Sequence, residues 1–144
     1  MKISIINGAN LNLLGMREPE IYGDVSFENY FEELKKEFTK VDFFYFQSNI
    51  EGEIVDFIQH ASKNSDGIII NAGGYSHTSV VIADALKASK KKCIEVHISN
   101  IFAREKERHI SLISKYVQGS IVGLGLNSYK LAIIYFVQIL QKKS

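Results

Sequence analysis

Short apolar runs alternate along the whole 144-residue chain with segments in which apolar residues recur every three or four positions. The runs are rich in β-branched and aromatic residues, which is typical of strands buried on both faces of a sheet. Five strands are predicted, over residues 3–6, 41–46, 67–70, 93–98 and 120–123. The alternation predicts an α/β fold with a doubly wound, five-stranded parallel sheet in a single domain, residues 1–144.

Apolar residues at helical spacing predict helices between these strands. Ser26 is a candidate N-cap of the first helix, and Glu28 lies in its first turn, where a negative charge is favourable. The polar stretch 104–111 is ambiguous, since it could form one short helix. Further helices are predicted near 50–61, 80–88 and 126–141.

Three polar segments directly follow predicted strands, at 7–10, 71–74 and 97–100. In doubly wound folds, ligands bind beyond the carboxyl ends of the strands. Because the ends of parallel strands meet at one edge of a sheet, we predict that these segments form one site.

Composition narrows the range of partners. A net charge of +1 provides no broad positive field for nucleic acid or an anionic membrane, so a small anion would need local cations. Cys93 is the only cysteine, which excludes a disulfide within the chain and predicts a buried thiol in a reducing compartment. The longest apolar run, 131–140, is too short to span a bilayer, and no targeting sequence precedes the first strand. These features predict a soluble, cytoplasmic protein.

The arginines are few and lie in suggestive places. The chain has fourteen lysines but three arginines, and Arg17, Arg104 and Arg108 all lie in polar motifs. A guanidinium carries a permanent charge on a rigid fork of donors, which suits recognition of a carboxylate. Arg104 could equally be a surface residue of a loop.

Four motifs occur in a fixed order. Residues 7–23 read NGANLNLLGMREPEIYG, and they are followed by NAGGYSHTS at 71–79, EVHISN at 95–100 and AREKERH at 103–109. In sequence, order and spacing these motifs resemble the type II 3-dehydroquinate dehydratases, over the whole chain. One departure is Ala9, where that family commonly has proline.

The resemblance implies a flavodoxin-like fold and a lyase that dehydrates 3-dehydroquinate to 3-dehydroshikimate in the shikimate pathway of aromatic amino acid biosynthesis. It implies no cofactor and no metal, and it implies a homododecamer of four trimers. It also implies that Tyr22 is the general base, acting as tyrosinate, and that Arg17 is an essential cation beside it. Asn10 would stabilise an enolate, directly or through water. Segment 11–25 is long for a connection and is predicted to be an active-site lid.

Glu95 and His97 are two residues apart on one predicted strand, so their side chains share a face. A carboxylate beside an imidazole fixes its tautomer and favours its protonated form, as a general acid needs. The resemblance assigns His97 the protonation of the departing hydroxyl. The pair could also be half of a metal site, or His97 could be structural.

The remaining candidate residues would bind substrate. By resemblance these are Asn71, His77 and Arg108, with the backbone of Ile98 and Ser99. Asp84 is a further candidate, predicted to share a helix face with His77 and to reach a neighbouring subunit's site. Its surroundings at 80–86 are apolar, so a buried carboxylate there would need a partner. A solvated position on the outer face is the alternative.

Two other classes of function stay open at this point. One is a non-catalytic binding module of flavodoxin-like fold, although no phosphate-binding loop is present and the glycines at 123–125 are a weak dinucleotide signal. The other is a hydrolase using Ser76 or Ser79 with His77, although no GxSxG motif is found. A Schiff-base route is disfavoured, since no lysine lies at an apolar strand end.

Overall fold

A five-stranded, all-parallel sheet with helices on both faces organises the computed structural model, which describes residues 1–16 and 18–143. The strands lie in the order 2-1-3-4-5, the flavodoxin-like arrangement. The predicted fold class is confirmed, and each predicted strand end lies within one residue of the observed one. In chain order the strands are β1 (Lys2–Asn7), β2 (Asp42–Gln47), β3 (Gly67–Asn71), β4 (Lys92–His97) and β5 (Gly119–Val122).

Two of the α-helices begin at a serine that caps them. Ser26 Oγ accepts a hydrogen bond from the Asn29 amide at 3.2 Å, which confirms the predicted N-cap, and Ser79 Oγ accepts from the Ile82 amide at 3.1 Å. Segment 104–111 forms only a 3-10 turn, at Lys106–Arg108. No helix within the described residues is long and apolar enough to cross a membrane. The α-helices are α1 (Pro19–Tyr22), α2 (Phe27–Glu37), α3 (Glu51–Asn64), α4 (Val80–Ala88) and α5 (Asn127–Gln141).

The alternation of side chains along the central strands divides the core in two. On one face, Ile5 and Val96 pack with α2 and α5; on the other, Ile6 and Ile70 pack with α3 and α4. Strands β1, β3 and β4 are buried on both faces from their second residue onward, as predicted. The edge strand β2 differs, since its residues alternate between exposed and partly covered at its start. An edge strand has a neighbour on one side only, which explains this exposure.

The loops after β1 and β3 lie in backbone contact. The Gly8 amide donates to the Asn71 carbonyl at 2.7 Å, and a Cβ added at Gly8 would lie 2.2 Å from the Ala72 carbonyl oxygen. Gly73 adopts a left-handed φ of 61°, and a Cβ there would lie 2.9 Å from the Ala9 carbonyl oxygen. Only glycine fits so close an approach without displacement. Two of the predicted polar segments are thereby held side by side.

Candidate active site

A cleft opens at the carboxyl ends of β1, β3 and β4, where the three polar segments converge as predicted. Glu95 does not line it but lies directly behind His97, fully buried. Arg104, which sequence reasoning left without a role, also lines the cleft. The predicted site residues that line it are Asn10, Tyr22, Asn71, His77, His97, Ile98, Ser99 and Arg108.

The Glu95 carboxylate accepts four side-chain hydrogen bonds. His97 Nε2 donates to Oε1 at 2.6 Å, and the Ser111 hydroxyl donates to the same oxygen at 2.5 Å. Ser114 and Ser120 donate to Oε2, the latter at 2.9 Å. A buried charge is tolerable only with such pairing. The three serines lie in and after the segment that the sequence left ambiguous, and serines at 111, 114 and 120 carry no local signal of a shared partner.

Hydrogen bonding keeps this buried carboxyl group ionised. Burial favours its neutral form, but the bonds from His97, Ser111 and Ser114 outweigh burial and lower the pKa of Glu95 from 4.5 to about 2. An ionised carboxylate can only accept hydrogen bonds, so His97 Nε2 must carry a proton. His97 lines the cleft, and its other nitrogen, Nδ1, takes no part in the bond to Glu95.

Glu95 and His97 were also candidates for half of a metal site, but the described residues offer no further ligands beside them. Within residues 1–16 and 18–143, no group of three His, Cys, Asp or Glu side chains is placed to hold a metal ion. Four donors already share the two Glu95 oxygens. The geometry is that of a hydrogen-bonded acid pair.

Tyr22 and Arg104 form the second polar contact of the cleft. Arg104 Nη1 donates to the Tyr22 hydroxyl oxygen at 2.7 Å and lies 3.3 Å from Ser99 Oγ. The Arg104 side chain is only 14% exposed, and its guanidinium carbon lies 5.5 Å from the centre of the Tyr22 ring. His109 helps to hold this segment, because its Nε2 donates to the Arg104 carbonyl at 2.8 Å. The signal that could have found Arg104 was its place among only three arginines.

Local geometry presents Tyr22 to the cleft. Tyr22 ends the short helix α1, which begins at Pro19, where the missing amide hydrogen and fixed φ suit a first helical position. Gly23 then leaves the helix with a φ of 84°, which glycine tolerates. Arg17 lies outside the described residues, so its contact with Tyr22 and the lid role of 11–25 stay predictions.

His77 and Arg108 form a wall suited to an anion. His77 Nδ1 donates to the Ile110 carbonyl at 2.8 Å, and its ring centre lies 6.0 Å from that of His97. Burial, with the neighbouring positive charges of His97 and Arg108, lowers the pKa of His77 despite the bond to Ile110. His77 is therefore neutral near pH 7 and offers Nε2 as an acceptor. Arg108 Nε is paired with Glu105 Oε1 at 2.7 Å.

Asn71 is oriented by a buried network that the sequence did not reveal. Its Nδ2 donates to the Tyr129 hydroxyl at 2.9 Å, and its Oδ1 accepts from the Gly73 amide at 3.2 Å. The Tyr129 hydroxyl donates in turn to Asn7 Oδ1 at 2.8 Å. Tyr129 is fully buried in α5, where the apolar pattern showed only a core position. The second Nδ2 hydrogen of Asn71 remains for a ligand.

Asp84 lies on the exposed surface of α4 and does not line the cleft of the single chain. The prediction that it shares a helix face with His77 is wrong. His77 ends a separate 3-10 turn (Gly73–His77), and α4 begins at Val80. The Ser79 cap, by accepting from an α4 amide, fixes the start of that helix. The contact of Asp84 with a neighbouring subunit stays a prediction.

The hydrolase alternative is not supported by the geometry. Ser76 is fully buried, and among the described residues its hydroxyl has no hydrogen-bond partner, so His77 does not activate it. The Ser79 hydroxyl is buried and serves as a helix cap. Neither serine is placed as a nucleophile in the cleft.

Comparisons with known proteins show which family the chain resembles. The family model described as Dehydroquinase class II matches residues 1–137. The chain is 50% identical to the 3-dehydroquinate dehydratase of Fusobacterium nucleatum, over 99% of this chain and 100% of that protein. A type II dehydroquinase structure from Butyrivibrio crossotus aligns with a TM-score of 0.89 at 48% identity, covering 94% and 96% of the two chains. One from Propionibacterium acnes aligns at 0.91 and 39%, covering 95% and 96%.

The Glu95 contacts predict how stability depends on pH. A pKa lowered in the folded state stabilises the protein above the unfolded value of about 4.5, and this contribution is lost as the pH falls towards about 2. The Glu95→Gln variant should therefore unfold more easily at pH 7, by on the order of 3 kcal/mol, and the deficit should shrink between about pH 5 and pH 2. Urea unfolding across that range measures it, with the exposed Glu33→Gln as control. A deficit that does not change with pH would contradict an ionised Glu95.

Proposed function

The chain belongs to the class II dehydroquinase family, a family of hydro-lyases, and we propose that it removes water from 3-dehydroquinate through an enolate intermediate. One observation supports this most directly. A single cleft brings together a tyrosine hydroxyl paired with a guanidinium and a histidine backed by a buried carboxylate. An elimination beside a ketone needs such a base and such an acid.

The first step is removal of a proton beside the C3 ketone by Tyr22, acting as tyrosinate. The phenol must lose its own proton before it can act as this base, and a nearby cation favours the charged phenolate. A cation about 4 Å away stabilises it by about 4 kcal/mol at an effective dielectric of about 20, before desolvation is subtracted. Arg104 donates directly to the Tyr22 oxygen and supplies such a cation. By resemblance, Arg17 is a second cation of this step.

The electron pair of the broken C–H bond forms an enolate. Asn10 binds the enolate oxygen, directly or through water. In the second step the enolate re-forms the ketone, a double bond forms between C1 and the carbon that lost its proton, and the C1–O bond breaks. His97 gives a proton to the departing hydroxyl, so that water leaves. The product is 3-dehydroshikimate. The Glu95 carboxylate stabilises the charged imidazole that donates this proton.

Substrate binding is assigned to other residues that line the same cleft. Arg108 is a permanent cation lining the cleft, suited to the substrate carboxylate, and the backbone of Ile98 and Ser99 lines the same cleft. Asn71 and neutral His77 are suited to its hydroxyl groups. These contacts orient the substrate.

Assembly is a further part of the proposal. The resemblance implies a dodecamer of four trimers in which Asp84 reaches a neighbouring site. Exposed apolar side chains support burial against other subunits, among them Met16 at 76% exposure and Val80 at 62%. Segment 11–25 would close over bound substrate as a lid that carries Arg17.

Mixing the purified chain with 3-dehydroquinate tests the function. The product contains a conjugated enone, so ultraviolet absorbance should rise with time. Activity should survive a chelator and also borohydride added with the substrate, because no step needs a metal or an imine. No rise in absorbance would refute the function, and inactivation by borohydride would indicate a Schiff base instead.

Replacing Tyr22 by phenylalanine tests the base. The ring remains and the proton acceptor is lost, so kcat should fall by at least ~10²-fold while folding is retained. Steady-state kinetics measure the change, and circular dichroism checks the fold. Tyr135→Phe, in α5 and away from the cleft, is the matched control and should leave kcat unchanged. Near-normal turnover of Tyr22→Phe would remove Tyr22 from the mechanism.

Replacing Arg104 tests whether its charge acts through Tyr22. Arg104→Ala should lower kcat by ~10- to 100-fold, since a charge-assisted bond to the base is lost, and Arg104→Lys should recover part of the loss. In the Tyr22→Phe background the same substitution should have little further effect. Lys106→Ala removes an exposed cation from the same segment and serves as control. Equal losses in both backgrounds would show that Arg104 acts on the substrate or on folding.

A further inference from the structure

Asn49 lies two residues beyond the end of β2 and does not line the cleft. It forms hydrogen bonds with the segments that do. Its side chain is exposed, and no periodic pattern singles it out. Its Oδ1 accepts the Asn10 backbone amide at 2.9 Å and Gln47 Nε2 at 3.2 Å. Its own carbonyl accepts the Tyr75 hydroxyl at 2.7 Å. One exposed asparagine is therefore bonded to the loop after β1, to the end of β2 and to the 3-10 turn after β3.

Asn10 needs such support because its backbone is in a sparsely populated conformation. Its φ of 68° and ψ of −2° lie in the left-handed region, which residues with a Cβ seldom adopt, although asparagine adopts it more readily than most. It precedes the 3-10 turn Leu11–Leu13 without a side-chain cap. The hydrogen bond from the Asn10 amide to Asn49 is a contact that holds this conformation from another element.

Neighbouring bonds make the support rigid. Gln47 Nε2 donates both to Asn49 Oδ1 and to the Gly8 carbonyl at 3.2 Å, so β2 holds the loop at two points. Tyr75 belongs to the 3-10 turn that ends at His77, and its bond ties Asn49 to the loop after β3. A shift of Asn49 would therefore move Asn10 relative to the rest of the cleft.

We infer that Asn49 is a positioning residue that sets the orientation of Asn10 towards the enolate oxygen. The inference rests on the proposed role of Asn10. The enolate exists only after proton removal, so misplacing its partner lowers kcat more than it changes KM. Displacement by about 1 Å can cost 10²-fold in rate.

Two substitutions separate the acceptor from the bulk of the side chain. Asn49→Leu keeps the size but removes the acceptor, and it should lower kcat by ~10- to 100-fold with little change in KM. Asn49→Asp keeps an oxygen for both donors and should retain most of the wild-type kcat. The control is Asn29→Ala, which removes an exposed asparagine from α2 and should leave kcat unchanged.

A double-mutant cycle shows whether the effect passes through Asn10. In the Asn10→Ala background, Asn49→Leu should cause less than a threefold further loss of kcat, whereas a general structural defect would lower both backgrounds equally. If Asn49→Leu fails to fold, Tyr75→Phe releases Asn49 from the 3-10 turn after β3 and should give a smaller loss of kcat with the same dependence on Asn10. Equal losses in both backgrounds, or an Asn49→Asp variant as slow as Asn49→Leu, would overturn the inference.

A readout without substrate separates this inference from the proposed reaction. The Asn10 amide should exchange its hydrogen at least ~10-fold faster in Asn49→Leu than in Asn49→Asp or wild type, because a protecting bond is lost. Unchanged exchange would overturn the positioning role whatever the activity. Faster exchange in a chain that does not turn over 3-dehydroquinate would uphold the positioning and refute the reaction.

Discussion

A buried negative charge at the end of β4 governs the chemistry of the cleft. Glu95 is fully enclosed and is stabilised only because His97 and three serines donate to it. Such a charge is costly unless every oxygen is paired, so loss of a donor would affect both stability and the histidine. The serines come from the chain beyond β4, while Glu95 and His97 share one face of that strand. The proposed acid function of His97 therefore depends on packing between several elements.

The sheet topology brings the proposed base and the proposed binding groups to the same place. Parallel strands end at one edge, and glycines let the loops after β1 and β3 touch through their backbones. Asn10 and Asn71 thus lie in one cleft although they are far apart in sequence. The segment after β4 adds Arg104 and Arg108. The cations therefore come from the connection after the strand, whereas Glu95 and His97 belong to β4 itself.

Patterns among neighbouring residues predicted those features of the fold that depend on neighbouring residues. The strands and the Ser26 cap followed from apolar alternation and capping, and the face shared by Glu95 and His97 followed from the two-residue repeat of a strand. Long-range contacts were not predictable in this way. The pairing of Arg104 with Tyr22 spans 82 residues and that of Tyr129 with Asn7 spans 122. The prediction that His77 and Asp84 share a helix face was wrong, because His77 ends a 3-10 turn and α4 begins only after the Ser79 cap.

The position of the proton on His97 tests the central claim most directly. Nitrogen-15 NMR of histidine-labelled protein reports which ring nitrogen carries hydrogen, and a His97→Gln variant identifies the signals. An ionised Glu95 predicts a protonated Nε2 in both the neutral and the charged ring, with Nδ1 bare in the neutral form. A neutral ring protonated at Nδ1 with a bare Nε2 would require a protonated Glu95. That result would contradict the account.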